Sequence, residues 1–127
     1  MDKVFVPVNY FQNHWGLAVI YRQHKTIRYY DSVPNSGTVA LHNLLLWLED
    51  EEEERLGEDM STFYVRQWQT FAGDRNCPQQ ENGSDCGVFI LAFASYLSDD
   101  LPLDFCQADM TQMRRRIVWS IMNQRLR

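Results

Sequence analysis

Apolar residues cluster with β-branched and aromatic character in the first part of the chain and recur at helical spacing later on. Residues 3–10 (KVFVPVNY) and 15–22 (WGLAVIYR) are rich in Val, Ile and aromatic side chains and are predicted strands. Residues 25–32 (KTIRYYDS) follow after the short connection Gln23-His24, which predicts a hairpin. The alternation puts Ile27, Tyr29 and Asp31 on one face and Arg28 and Tyr30 on the other. Residues 32–37 (SVPNSG) form a loop by their Pro, Asn and Gly content. A helix is predicted over 38–55, with Leu41, Leu44, Leu45 and Leu48 as its apolar stripe. A further strand is expected at 62–68 (TFYVRQW), leading into a loop around Pro78. From Gly87 to Leu97 the residues are apolar nearly all round, the pattern of a helix enclosed by the core. Residues 108–124 are amphipathic, with Met110, Met113, Ile117 and Ile121 on one face. With no internal repeat or low-complexity linker, residues 1–127 read as one α+β domain, a small, mostly antiparallel sheet packed against helices.

Composition narrows the class. Apolar residues make up 45% and aromatics 13%, a globular rather than a disordered balance. The formal net charge of -5 argues against nucleic acid as the main partner. Residues 49–54 are six consecutive acids, and Arg114, Arg115, Arg116, Arg125 and Arg127 gather near the other end. Both runs read as solvated surface. No run of about 18 apolar residues is present to span a membrane, and the first residues show no signal-peptide pattern. Cys77, Cys86 and Cys106 are widely spaced, which fits reduced thiols in a nuclear or cytoplasmic protein better than a disulfide framework. Lacking any paired C-x-x-C spacing, they also give no zinc site, and neither a metal nor another cofactor is expected.

The run QQENGSDCGVFI (79–90) holds the candidate chemistry. A polar, turn-prone preface ends in Cys86, which then opens the most apolar segment of the chain. A cysteine at a helix amino terminus meets unpaired N–H groups and the positive end of the helix dipole, and both favour thiolate. Gly87 places no side chain beside the sulfur. A thiolate mechanism needs a base. His24 falls in the predicted hairpin turn and His42 on a polar helix face, whereas His14 stands at a strand entrance directly before Trp15. In a tight hairpin that sets Tyr21 opposite His24, His14 falls opposite Asp31. The aspartate would then fix the imidazole tautomer and support the imidazolium. Gln80, in the loop that must pass the helix start, can donate to an oxyanion together with the Cys86 N–H.

HWGLAVI, YYDSV and PQQENGSDCGVFI, in this order and spacing, resemble the catalytic segment of the ULP/sentrin-specific cysteine proteases. That family cleaves SUMO and related ubiquitin-like modifiers after a carboxy-terminal Gly-Gly, on a papain-like cysteine-protease core. The resemblance implies His14 as general base, Asp31 as its orienting partner, Cys86 as nucleophile and Gln80 as oxyanion donor. Trp15 matches the tryptophan that covers the family's narrow tunnel for the glycines. Trp47, Trp68 and Trp119 have no such match and are read as packing. SUMO or another ubiquitin-like modifier and its conjugates are the implied partners. Family members carry a further amino-terminal segment that builds much of the docking surface, and this chain is expected to lack it. The alternatives are a non-catalytic remnant that binds a modifier tail, and an effector-type acetyltransferase with a similar His-acid-Cys set.

Overall fold

The computed structural model describes residues 3–11, 13–56, 68–73 and 76–123. Its sheet has the strand order β1-β2-β3-β4, with β1 at Lys3–Tyr10, β2 at His14–Tyr21, β3 at Thr26–Tyr30 and β4 at Gln69–Phe71. The first three strands pair antiparallel and β4 runs parallel to β3, so the sheet is mostly antiparallel, as expected. The strand expected at 62–68 lies outside the described residues except for Trp68, directly before β4.

Strand β2 is the centre of the fold. Its segment from Gly16 to Ile20 is buried on both faces, which is why it reads as a continuous apolar run rather than an alternation. Leu17 and Val19 pack on helix α2 (Cys86–Ser98), Phe105 and the start of helix α3 (Met110–Met122). Ala18 and Ile20, with Ile27 and Tyr29 of β3, pack on Leu41 and Leu48 of helix α1 (Thr38–Leu56). The sheet is therefore covered by helices on both sides. Phe89 and Phe93 of α2 are fully buried, and burial of one such side chain contributes about 1.5–3 kcal/mol.

The apolar stripes agree with the sequence, with differences at their margins. Leu91 of α2 is half-exposed although the helix was expected to be enclosed. Ile121 is 71% exposed, because the core beneath α3 ends at Ile117. Trp68 packs, but Trp47 and Trp119 lie off the stripes and are half-exposed.

The hairpin register differs from the expected one by two residues. Tyr21 pairs with Thr26 and Leu17 with Tyr30. The connection is a four-residue turn over 22–25, with Lys25 in the left-handed region at φ 53. Continuing this register sets Asp31 across from Gly16, with His14 one pleat further along. A two-residue shift preserves the face, so Asp31 and His14 still point to the same side of the sheet.

Candidate active site

His14 opens β2 and Asp31 follows β3, so antiparallel pairing brings both to one end of the sheet. His14 Nε2 lies 2.6 Å from Asp31 Oδ1. Gly16 makes this diagonal contact possible. A Cβ there would meet Tyr29 Oη at 2.0 Å and Asp31 Oδ2 at 2.9 Å.

The Asp31 side chain is 1% exposed, and a buried carboxylate needs donors on both oxygens. Oδ1 also accepts the Val33 N–H at 3.1 Å. Oδ2 accepts the Tyr29 hydroxyl at 2.6 Å and Asn35 Nδ2 at 3.1 Å. Burial, reinforced by the hydrogen bond to Asp31, holds the Tyr29 phenol far above its ordinary pKa and keeps it a donor.

The loop before α2 is tied to the end of β3. Gln79 Nε2 donates to the carbonyl of Asp31 at 2.9 Å. The Gln80 N–H donates to the Ser32 carbonyl at 2.7 Å, and Ser32 Oγ donates to Gln80 Oε1 at 2.5 Å. Gln80 Nε2 donates one hydrogen to the Asn82 carbonyl, and a carboxamide nitrogen carries a second. Asn82 Oδ1 then accepts the N–H groups of Ser84 and Asp85, each at 3.1 Å, and turns the chain into the helix.

Cys86 is the first residue of α2, and its thiol is 4.0 Å from the carbonyl of Asn13, the residue before His14. The cysteine is 7% exposed, recessed but not sealed. Trp15 is 37% exposed and stands on the face of β2 that packs on α2. His24 and His42 are exposed and apart from this cluster. All five residues singled out in the sequence are thus placed: His14 and Asp31 are in direct contact, Cys86 reaches the carbonyl of Asn13, the residue before His14, Gln80 docks on Ser32 beside Asp31, and Trp15 follows His14 in β2.

Sequence reasoning missed a second carboxylate. Asp85 Oδ2 accepts Asn82 Nδ2 at 2.9 Å and Gln107 Nε2 at 2.8 Å, and Arg114 grips Oδ1 through Nε and Nη2. These contacts, the Asn82 bond first and then those of Arg114 and Gln107, hold the Asp85 pKa down at about 2. Arg114 had been read with its neighbours as solvated surface; its long-range partner has no local signature. Among the described residues, no group of three His, Cys, Asp or Glu side chains could hold a metal ion, and no helix is long and apolar enough to cross a membrane.

Residues 1–126 match the family model described as the Ulp1 protease family, C-terminal catalytic domain. The chain belongs to that family. It is 37% identical over 131 residues to ubiquitin-like-specific protease 1 of Saccharomyces cerevisiae, covering 100% of this chain and 20% of the relative. It is 35% identical over 126 residues to sentrin-specific protease 2 of Homo sapiens, covering 98% of this chain and 21% of the relative. Among solved structures, it resembles the C-terminal Ulp1 protease domain in complex with Smt3, the yeast ortholog of SUMO. That match has a TM-score of 0.75 at 36% identity and covers 97% of this chain and 53% of the other. The Chaetomium thermophilum Ulp1-like SUMO protease catalytic domain matches with a TM-score of 0.79 at 27% identity, over 100% of this chain and 48% of the other. This Ulp1-family chain therefore spans about a fifth of the curated relatives' length and about half of these solved chains.

Proposed function

We propose that this chain carries the catalytic residues of a thiol protease that cleaves after the carboxy-terminal Gly-Gly of SUMO or a related ubiquitin-like modifier. The observation that carries the reading is the 2.6 Å contact between His14 Nε2 and Asp31 Oδ1. It occupies one ring nitrogen and leaves Nδ1 for a thiol at the start of α2. Family membership and relatives named as SUMO proteases support the substrate class.

The Cys86 thiolate attacks the carbonyl of the last glycine and forms a tetrahedral oxyanion. The second hydrogen of Gln80 Nε2 and the Cys86 N–H, which has no intrahelical acceptor, stabilise that charge. His14 protonates the leaving amine, and a thioester remains. Water deprotonated by His14 then releases the modifier and restores the thiol. Trp15, beside the base, covers the glycines as they approach Cys86. A reducing setting, nuclear or cytoplasmic, is proposed from the wide spacing of the three cysteines in the sequence. The family match does not favour a modifier-binding remnant or an acetyltransferase.

Release of a fluorophore from the carboxy terminus of SUMO, NEDD8 and ubiquitin tests the proposal. The expected result is turnover of the SUMO substrate that disappears in Cys86→Ser and in His14→Ala. Turnover unchanged in Cys86→Ser, or none with any modifier, overturns it.

A further inference from the structure

Two aspartates are buried near the site, and they are satisfied in opposite ways. Asp85 is paired with a cation, Arg114. Asp31 accepts from Tyr29, Asn35 and the Val33 N–H, all neutral, and from His14. Among its described partners, the imidazole is the one group able to become a cation. Neutral donors can hold an ionised carboxylate in place without cancelling its charge, so that charge stays available to an imidazolium.

We propose that Tyr29 is a positioning residue, whose hydroxyl fixes Asp31 Oδ2 so that Oδ1 is aimed at His14 throughout the reaction. The inference rests on the thiol-protease reading above. The slot that holds Tyr29 is built around its ring. Built Cβ atoms at Gly16, Gly37 and Gly73 would come within 2.0, 2.3 and 2.9 Å of the Tyr29 side chain. These glycines come from β2, from the turn before α1 and from just after β4, so three separate segments close on one phenol. Tyr10 meets the Tyr29 ring edge-on at 6.4 Å and the His14 ring at 6.1 Å. A tyrosine that only filled space would not need its hydroxyl 2.6 Å from the carboxylate that orients the base.

The test is Tyr29→Phe, which keeps the ring in its slot and deletes the hydroxyl. Thermal melting should show a fold that stays intact. The expected result on a SUMO fluorogenic substrate is a fall in kcat of about ten-fold with KM unchanged, in keeping with loss of one hydrogen bond to a charged group. Tyr29 is buried, with no surface to offer a substrate, so the effect belongs in kcat. Asn35→Ala, which removes the second donor on the same oxygen, should give a smaller loss in the same parameter. Proton NMR supplies a readout independent of turnover. The His14 Nε2–H resonance, at low field from its short bond to Asp31, should move upfield and exchange faster with water in Tyr29→Phe. A kcat within two-fold of the parent, or a loss confined to KM, overturns the proposal. Should the parent chain itself not turn over SUMO, the functional reading fails. The resonance then decides the role of Tyr29, and an unchanged signal rejects it.

Discussion

Arg114, on helix α3, reaches the carboxylate of Asp85, the residue immediately before Cys86, with Nε 3.0 Å from Oδ1. Gln107 joins the same clamp, donating to Asp85 and accepting the Glu81 N–H at 2.8 Å. The loop that carries Gln80 and delivers Cys86 is thereby braced from α3. Arg114→Ala should lower stability by about 1–2 kcal/mol, less than a fully buried pair would cost because the arginine is half-exposed. Arg114→Lys should restore only part of it, since an ammonium lacks the planar fork. Arg115→Ala, on an exposed neighbour, should change stability by less than about 0.5 kcal/mol. Urea unfolding of the three variants checks the ranking.

The same clamp sets an acid limit. The Asp85 pKa is depressed from 3.8 to about 2, so the folded state favours the ionised form. Its contribution is present in full above the unfolded value and is lost as pH falls from about 4 towards 2. Urea midpoints between pH 6 and pH 2 should show the parent losing its advantage over Asp85→Asn within that window. A gap that stays constant down to pH 2 would contradict this.

Two glycines make a matched pair of predictions. Gly16→Ala drives a methyl into Tyr29 Oη and Asp31 Oδ2 and should cost roughly 1–3 kcal/mol, with a marked loss of kcat. At Gly87 an added Cβ meets nothing within 4 Å. Gly87→Ala should therefore leave stability unchanged or slightly raised, while a methyl next to Cys86 should lower kcat/KM by crowding access to the thiol. Melting curves and steady-state kinetics on the two variants separate packing from access.

The pattern of apolar positions disclosed most of this architecture, for identifiable reasons. Helices α1 and α3 carry apolar stripes that their period discloses, α2 is apolar nearly all round, and β2 is an unbroken buried run. The β2–β3 turn was misjudged because Lys25 takes a left-handed conformation with no glycine or asparagine to announce it. The error moved pairing by two residues and so left His14 and Asp31 on one face, which is why the dyad survived it. The parallel β3–β4 pairing is three residues long and leaves no periodicity to read. Tyr29, Asn35 and Arg114 were missed as supporting residues because their partners are fixed by tertiary contacts rather than by spacing. Gly16 hid in the family-like segment as one more small residue, although its contact with Tyr29 and Asp31 determines the geometry.

Thiol substitutions should divide cleanly. Cys77 is half-buried against the core and Cys106 is exposed, and neither opens an α-helix as Cys86 does. Cys77→Ser and Cys106→Ser should retain turnover within about two-fold, with a modest stability loss for Cys77→Ser alone. Cys86→Ser should abolish turnover while the melting temperature stays close to that of the parent. Equal losses in all three would indicate a folding defect instead.

The central claim is that sulfur, imidazole and carboxylate converge to activate one thiol. SUMO bearing a carboxy-terminal vinyl sulfone, incubated with the full chain and followed by intact mass and peptide mapping, tests it most directly. A single adduct on Cys86, slowed at least ten-fold in His14→Ala and in Asp31→Ala, is the predicted result. No adduct, or labelling spread over Cys77 and Cys106 at the same rate, would contradict it.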